Sequence, residues 1–128
     1  MRCLVGKSRV LSSLFVLPLL AVVTLGLTAM AAAPDPKIVR AWKAKCAPCH
    51  GAEGKGDTDQ GKKMLVADMT SKAWQSSQTD EQIKKAISDG VKKEKNGVKQ
   101  EMDGYKDTLT PEQIGALAQY VRSLGAGK

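Results

Sequence analysis

The chain has 128 residues, with 20 Lys and Arg against 13 Asp and Glu, a net charge of +7, one His and three Cys. This length favours a single domain and argues against a two-lobed enzyme with a cleft between its lobes. One His excludes a site that needs two imidazoles from the same chain, and three Cys are too few for a dense disulfide scaffold.

Residues 1–31 have the pattern of a secretory signal peptide. A basic start is followed by a stretch from 10 to 34 that has no charged residue, and small residues lie around Ala31. This pattern predicts export to the periplasm with cleavage after Ala31, which leaves a mature domain of residues 32–128. The alternative is an uncleaved membrane anchor, because about 20 apolar residues can span a bilayer.

Three helices are predicted in the remaining chain. Each begins at a side chain suited to cap a helix N-terminus, at Asp35, Thr79 and Thr110, and the last two end at Gly90 and Gly125. No segment alternates apolar and polar residues over the length of a strand, so we expect an all-α domain. The two long connections between the helices are acceptable if they wrap a ligand.

The end of the first helix carries the signature C-x-x-C-H of covalent haem attachment, here Cys46-Ala47-Pro48-Cys49-His50. Two thiols at this spacing can add to the two vinyl groups on one edge of a porphyrin. The adjacent His50 is then held under the ring, where its imidazole can ligate the iron. We therefore predict one covalently bound haem c, attached through Cys46 and Cys49.

Other uses of the two thiols have weaker support. A thioredoxin-like pair needs a βαβ context, which is absent, and a zinc site needs about four ligands. A local disulfide stays open, because an exported compartment permits one. A thiol-redox or metal-binding module is therefore kept as an alternative function.

The sixth ligand of the iron must come from a residue other than His, because His50 is the only His. The candidates are Met64, Met69, Met102, a Lys or an open position. Met102 is favoured, because it lies among charged residues with no apolar helix face to serve, and Met/His ligation is typical of electron transfer. An open position would instead indicate a ligand-binding sensor or an enzyme subunit.

Together these features resemble the class I c-type cytochromes, which are small exported monohaem electron carriers. Besides the motif and Met102, the resemblance includes the Gly-rich run 51–56 and two aromatic residues, Trp42 and Tyr120. It implies a class I cytochrome c fold, in which three or more helices wrap one haem and the N- and C-terminal helices cross. Trp42, Leu117 and Tyr120 would meet at that crossing.

The chain departs from the pattern of these cytochromes after the ligand Met and after the motif, among other places. Many of them have a Pro directly after the ligand Met, where this chain has Asp103. Many also have a Pro soon after the motif, whose carbonyl accepts the ring N–H of the ligand His. This chain has no Pro between Pro48 and Pro111, so another backbone carbonyl is expected to orient His50.

The resemblance implies an electron carrier that is not an enzyme and has no small-molecule substrate. Its partners would be redox proteins with acidic docking patches, since complementary charges raise encounter rates. The lysines that would serve such docking form three clusters, at Lys43/Lys45, Lys62/Lys63 and Lys92/Lys93/Lys95/Lys99. Nucleic-acid binding is not expected, because no sustained basic stripe is present. Trp74 is a candidate to donate its indole N–H to a haem propionate.

Overall fold

The structure is a computed structural model, which describes residues 33–127. The signal peptide predicted over residues 1–31 lies outside the described residues and stays a prediction. Within residues 33–127, no helix combines the length and the apolar composition needed to cross a bilayer.

The first predicted helix is confirmed, but it is not regular throughout. It consists of α1 (Pro36–Ala41), a wider π-helical turn (Trp42–Cys46) and α2 (Ala47–His50). Asp35 caps α1 by accepting a hydrogen bond of 2.7 Å from the Lys37 amide. In the π-helical turn, the Ala47 amide donates to the Trp42 carbonyl five residues earlier. Such turns are frequent at functional sites, and this one lies directly before the second half of the motif.

The other two predicted helices are confirmed with their caps. They are α5 (Asp80–Asp89) and α6 (Pro111–Gly125), and each begins with a complete capping box of Thr and Gln. Gly90 ends α5 with a φ of +81°, a conformation that favours glycine. The connection from 51 to 78, for which no helix was predicted, contains α3 (Asp59–Lys63) and α4 (Lys72–Ser77).

The expectation of an all-α domain is wrong for residues 91–102. They form an antiparallel hairpin of β1 (Val91–Lys95) and β2 (Val98–Met102). The turn between the strands is Asn96-Gly97, with φ values of +53° and +77°, as in the tight turns that Asn-Gly favours. The strands were not predicted because polar residues, Lys93, Lys95 and Gln100, occupy half of the face that turns towards the protein. Met102 is the last residue of β2.

The core lies between α6 and the helices packed against it, α1, α4 and α5. Its buried apolar side chains are Ile38, Trp42, Met69, Ile83, Ile87, Ile114, Leu117, Ala118 and Val121. The rings of Trp42 and Tyr120 lie 5.5 Å apart between their centroids, and Leu117 is 2% exposed in the same cluster. The predicted meeting of these three residues beside the motif is therefore confirmed.

Arg122 joins three helices by hydrogen bonds. Its guanidinium donates to the Asp80 carboxylate at 2.7 Å, to the Gln75 carbonyl at 2.6 Å and to the Gln78 carbonyl at 2.5 Å. The Gln75 amide in turn donates to the carbonyls of Met69 and Val121. The Arg122 guanidinium also holds the pKa of the Asp80 carboxyl below its usual range. These bonds satisfy the exposed carbonyls at the end of α4.

Arg122→Ala is expected to lower the free energy of unfolding by about 2 kcal/mol, because the carbonyls of Gln75 and Gln78 lose a charged donor. Urea unfolding of the haem-loaded protein, followed by circular dichroism, measures the change. Arg40→Ala is the control, since Arg40 is exposed, and it should change stability by less than about 0.5 kcal/mol. Equal effects of the two substitutions would contradict this role of Arg122.

Candidate functional site

All five site residues proposed from the sequence line one cavity of about 390 Å³. They come from the motif, α4 and the end of β2: Cys46, Cys49, His50, Trp74 and Met102. Most of the remaining wall is apolar and includes Leu65, Val66, Ile83, Ala86, Ile87, Leu117 and Val121. A mostly apolar cavity with a few convergent polar groups is the usual form of a cofactor site.

The two motif cysteines are free thiols in the cavity wall, each half-buried. Burial raises the pKa of the Cys46 thiol to about 11, against the opposing effect of the Lys45 ammonium. A thiol with so high a pKa is almost entirely protonated at neutral pH, which disfavours the thiolate that disulfide exchange needs. Within the described part of the chain, no group of three or more metal-binding side chains is found either.

His50 presents an uncharged imidazole with an unused nitrogen. Burial lowers the pKa of the ring, which favours the neutral form that ligates metals. The Nδ1 atom is buried and has no hydrogen-bond partner among residues 33–127. The backbone carbonyl that was expected to orient the ring is thus not found. A buried nitrogen without a partner is costly, and it fits a ring that interacts with a group outside the polypeptide.

The backbone of the motif is held against the Gly-rich run and α3. The Gly56 amide donates to the His50 carbonyl at 2.8 Å, and the Thr58 hydroxyl donates to the Cys49 carbonyl at 3.1 Å. A side chain at Gly61 in α3 would collide with the Cys49 carbonyl oxygen. Gly56 has a φ of +65°, and its backbone lies against that of Val66. These contacts fix the direction in which Cys49 and His50 point.

The three candidate methionines have different surroundings, although all of them line the cavity. The Met64 sulfur accepts a hydrogen bond of 3.1 Å from the Gln60 amide. Met69 is 6% exposed and packs in the core. Met102 is half-buried opposite Val91, and its sulfur has no hydrogen bond to any residue that the structure describes. Of the three, Met102 is therefore the one whose thioether is neither hydrogen-bonded nor fully buried in the core.

Gln100 is a site residue that sequence analysis missed. Its side-chain amide is buried and donates to the carbonyls of Met64 and Leu65, at 2.5 and 2.9 Å. These bonds fasten the hairpin to the opposite wall of the cavity. The Asn96-Gly97 turn is the sequence signal that predicts the hairpin and its register, which puts Gln100 on the same face as Met102.

Two further aromatic residues line the cavity. Trp74 is half-buried, and its indole N–H makes no hydrogen bond within residues 33–127. The Tyr105 hydroxyl donates to the Lys45 carbonyl at 3.3 Å, and the Lys45 ammonium lies 5.8 Å from the centre of the Tyr105 ring. Tyr105 therefore connects the segment after β2 to the start of the motif.

The sequence from residue 37 to 125 matches the family model described as Cytochrome c. The chain belongs to the cytochrome c family. Among solved structures, this cytochrome c is similar to "KustC0563 c-type cytochrome", with 29% identity and a TM-score of 0.56 over 67% of this chain and 94% of that one. It is equally similar to a mutant form of Kustc0563, with 29% identity and a TM-score of 0.56 over 68% and 96%. No curated protein matched the sequence.

Membership of this family decides the cofactor and the class of function. The cofactor of this cytochrome c is a covalently bound haem c, and its function is haem-based electron transfer. The residues present fit that group: two free thiols, an imidazole nitrogen without a partner and an apolar wall face one cavity. Because the chain belongs to this family, the alternatives of a thiol-redox or metal-binding module are set aside.

Gly61→Ala is expected to destabilise the haem-loaded protein by about 3 kcal/mol, because the new methyl group has no room beside the Cys49 carbonyl. Gly115→Ala in α6 is the matched control, since nothing lies within 4 Å of a side chain added there. The control should stabilise the protein by about 0.5–1 kcal/mol through helix propensity. Urea unfolding measures both values, and similar values would show that α3 does not support the motif.

Proposed function

We propose that the protein is an exported monohaem electron carrier in which His50 and Met102 would hold the haem iron. The observation that carries this proposal is that His50, Met102 and the two thiols line the same cavity. A bound haem c supplies an iron that takes up and releases one electron. Such a carrier has redox proteins as partners, transforms no small-molecule substrate and is not an enzyme.

Each residue of the site has a role that follows from its surroundings. Cys46 and Cys49 would hold the cofactor by thioether bonds, and burial, which lowers the pKa of the His50 ring, favours the neutral form that can ligate iron. The Met102 thioether favours ferrous over ferric iron more than a second imidazole does, and so raises the reduction potential. Leu117 and Val121 in the apolar wall act in the same direction, because they exclude water that would stabilise the extra ferric charge.

Trp74 is proposed as a donor to a haem propionate. Its indole N–H is available on the cavity wall, and a buried indole normally has a hydrogen-bond partner. The indole is an uncharged donor, which would orient one carboxylate without neutralising its charge. A second donor or a cation is then still needed for the other carboxylate.

Export is proposed from residues 1–31, whose pattern is that of a signal peptide cleaved after Ala31. The mature protein would then be periplasmic, and it would meet a membrane only if the segment were retained. The basic surface supports docking to acidic patches on redox partners. Lys43, Lys62 and Lys63 suit this role, because they are exposed and none of them forms an ion pair with a described residue.

Met102→Ala is expected to abolish the iron–Met charge-transfer absorption of the ferric protein and to open the iron to added cyanide or imidazole. The reason is that Ala has no sulfur to ligate the iron. Absorption spectra with and without the added ligand measure both effects. Met64→Leu and Met69→Leu are the controls and should keep the absorption band. Loss of the band in either control alone would reassign the ligand, and its absence from the unmodified protein would indicate an open position.

Expression of the full chain with a haem-maturation system is expected to yield a periplasmic protein that begins at Ala32 and carries the added mass of one haem. The Cys46→Ala, Cys49→Ala double variant should lack that mass, because it has no thiols to form the thioether bonds. Intact mass spectrometry of the periplasmic and membrane fractions makes the measurement. Recovery of the uncleaved chain in the membrane fraction would replace the periplasmic proposal with a membrane anchor.

A further inference from the structure

The hairpin has one face that belongs to the cavity. Residues directly opposite one another in an antiparallel pair share a face, and successive residues alternate between faces. One face is therefore formed by three pairs, in order from the base of the hairpin to its turn: Val91–Met102, Lys93–Gln100 and Lys95–Val98. All of these residues except Val98 line the cavity. We call this face the inner face.

The lysines of the two faces have different neighbours. On the outer face, Lys92 lies opposite Glu101 and Lys99 lies opposite Glu94, so that the charges balance. On the inner face, Lys93 lies opposite Gln100 and Lys95 opposite Val98. Neither inner lysine has an ion pair or a hydrogen bond with any described residue. The four lysines of the hairpin are therefore not one docking patch, and Lys93 and Lys95 are cations in the cavity wall that form no ion pair with a described carboxylate.

A haem c brings two carboxylates into this cavity. Carboxylates next to an apolar wall need a cation or hydrogen-bond donors, because burial removes part of their hydration. The propionates lie on the edge of the porphyrin opposite the two vinyl positions. Lys45 is the third lysine of the cavity wall. It belongs to the vinyl edge, because it directly precedes Cys46 and its ammonium lies 5.8 Å from the centre of the Tyr105 ring. The charge at the propionate edge must come from elsewhere.

We propose that Lys93 and Lys95 bind the haem propionates through their ammonium groups. Along the strand, Lys93 lies about 7 Å and Lys95 about 13 Å from Val91, the residue opposite Met102. The two lysines therefore face the rim of a ring whose centre lies near the base of the hairpin. The two carboxylates in the wall do not compete there: Glu101 is on the outer face opposite Lys92, and Asp103 lies beyond the base.

This binding has a consequence for the redox chemistry. An ammonium beside each propionate offsets a negative charge that would otherwise stabilise ferric iron, and so it raises the reduction potential. The binding of the propionates by the lysines would also hold the inner face of the hairpin against the cofactor. It would add to the hydrogen bonds by which Gln100 holds the hairpin to Met64 and Leu65. The proposal rests on the attached haem of the proposed function and on a ring whose centre lies near the base of the hairpin. It does not require Met102 itself to be the sixth ligand.

The test compares Lys93→Gln and Lys95→Gln with Lys99→Gln, each as the haem-loaded protein. The three substitutions remove the same charge from the same hairpin, and only Lys99 is on the outer face and outside the cavity wall. Resonance Raman spectra report the propionate bending bands, and a spectroelectrochemical titration gives the midpoint potential. The inner variants should shift the bands and lower the potential, whereas Lys99→Gln should leave the bands in place and lower the potential less.

Lys93→Arg and Lys95→Arg complete the test, because they retain the charge and should keep the bands close to those of the unmodified protein. Unchanged bands in both inner Gln variants would overturn the proposal, and so would equal shifts in Lys99→Gln. The iron–Met absorption is recorded for every variant. If that band is absent from every variant while the propionate bands shift as expected, the assignment of Met102 as the sixth ligand is wrong and the lysine proposal stands.

Discussion

The position of Trp42 between the helical core and the motif is the constraint on which the rest of the structure depends. Its side chain is 2% exposed, its ring lies 5.5 Å from that of Tyr120 in α6, and it lies 5.9 Å from the imidazole of His50. Its indole N–H donates to the Ala52 carbonyl at 3.0 Å, in the Gly-rich run. One aromatic residue therefore couples the packing of the first and last helices to the orientation of the motif.

The opposite side of the cavity is held by polar contacts. Gln100 joins the hairpin to the backbone at Met64 and Leu65, and Arg122 joins α6 to the end of α4. Both side chains donate to backbone carbonyls, whose positions do not depend on rotamer choice. These bonds therefore fix the hairpin and α4, which contribute few buried apolar residues to the core. A chain with only 4% aromatic residues can in this way keep a cavity open for a cofactor and still hold its walls in place.

Local signals predicted much of this fold. The capping boxes at Thr79 and Thr110 lie where the sequence places them, because a cap depends only on residues within one turn. The C-x-x-C-H motif is equally local. The hairpin was not predicted, since its inner face carries Lys93 and Lys95 where a strand of this kind usually has apolar residues. The fold therefore departs from the simplest sequence pattern where the chain faces the cofactor site.

The sequence by itself determined the attachment motif, the family resemblance and the single His, because these follow from residue identity and short spacing. For the sixth ligand it left Met64, Met69, Met102, a Lys or an open position as candidates, with Met102 favoured. Only the tertiary structure brought Trp74 and Met102 into one cavity with the motif, and only strand register separated Lys93 and Lys95 from Lys92 and Lys99. The physical reason is that contacts between distant segments, and the face on which a strand residue lies, depend on pairing and packing over the whole chain.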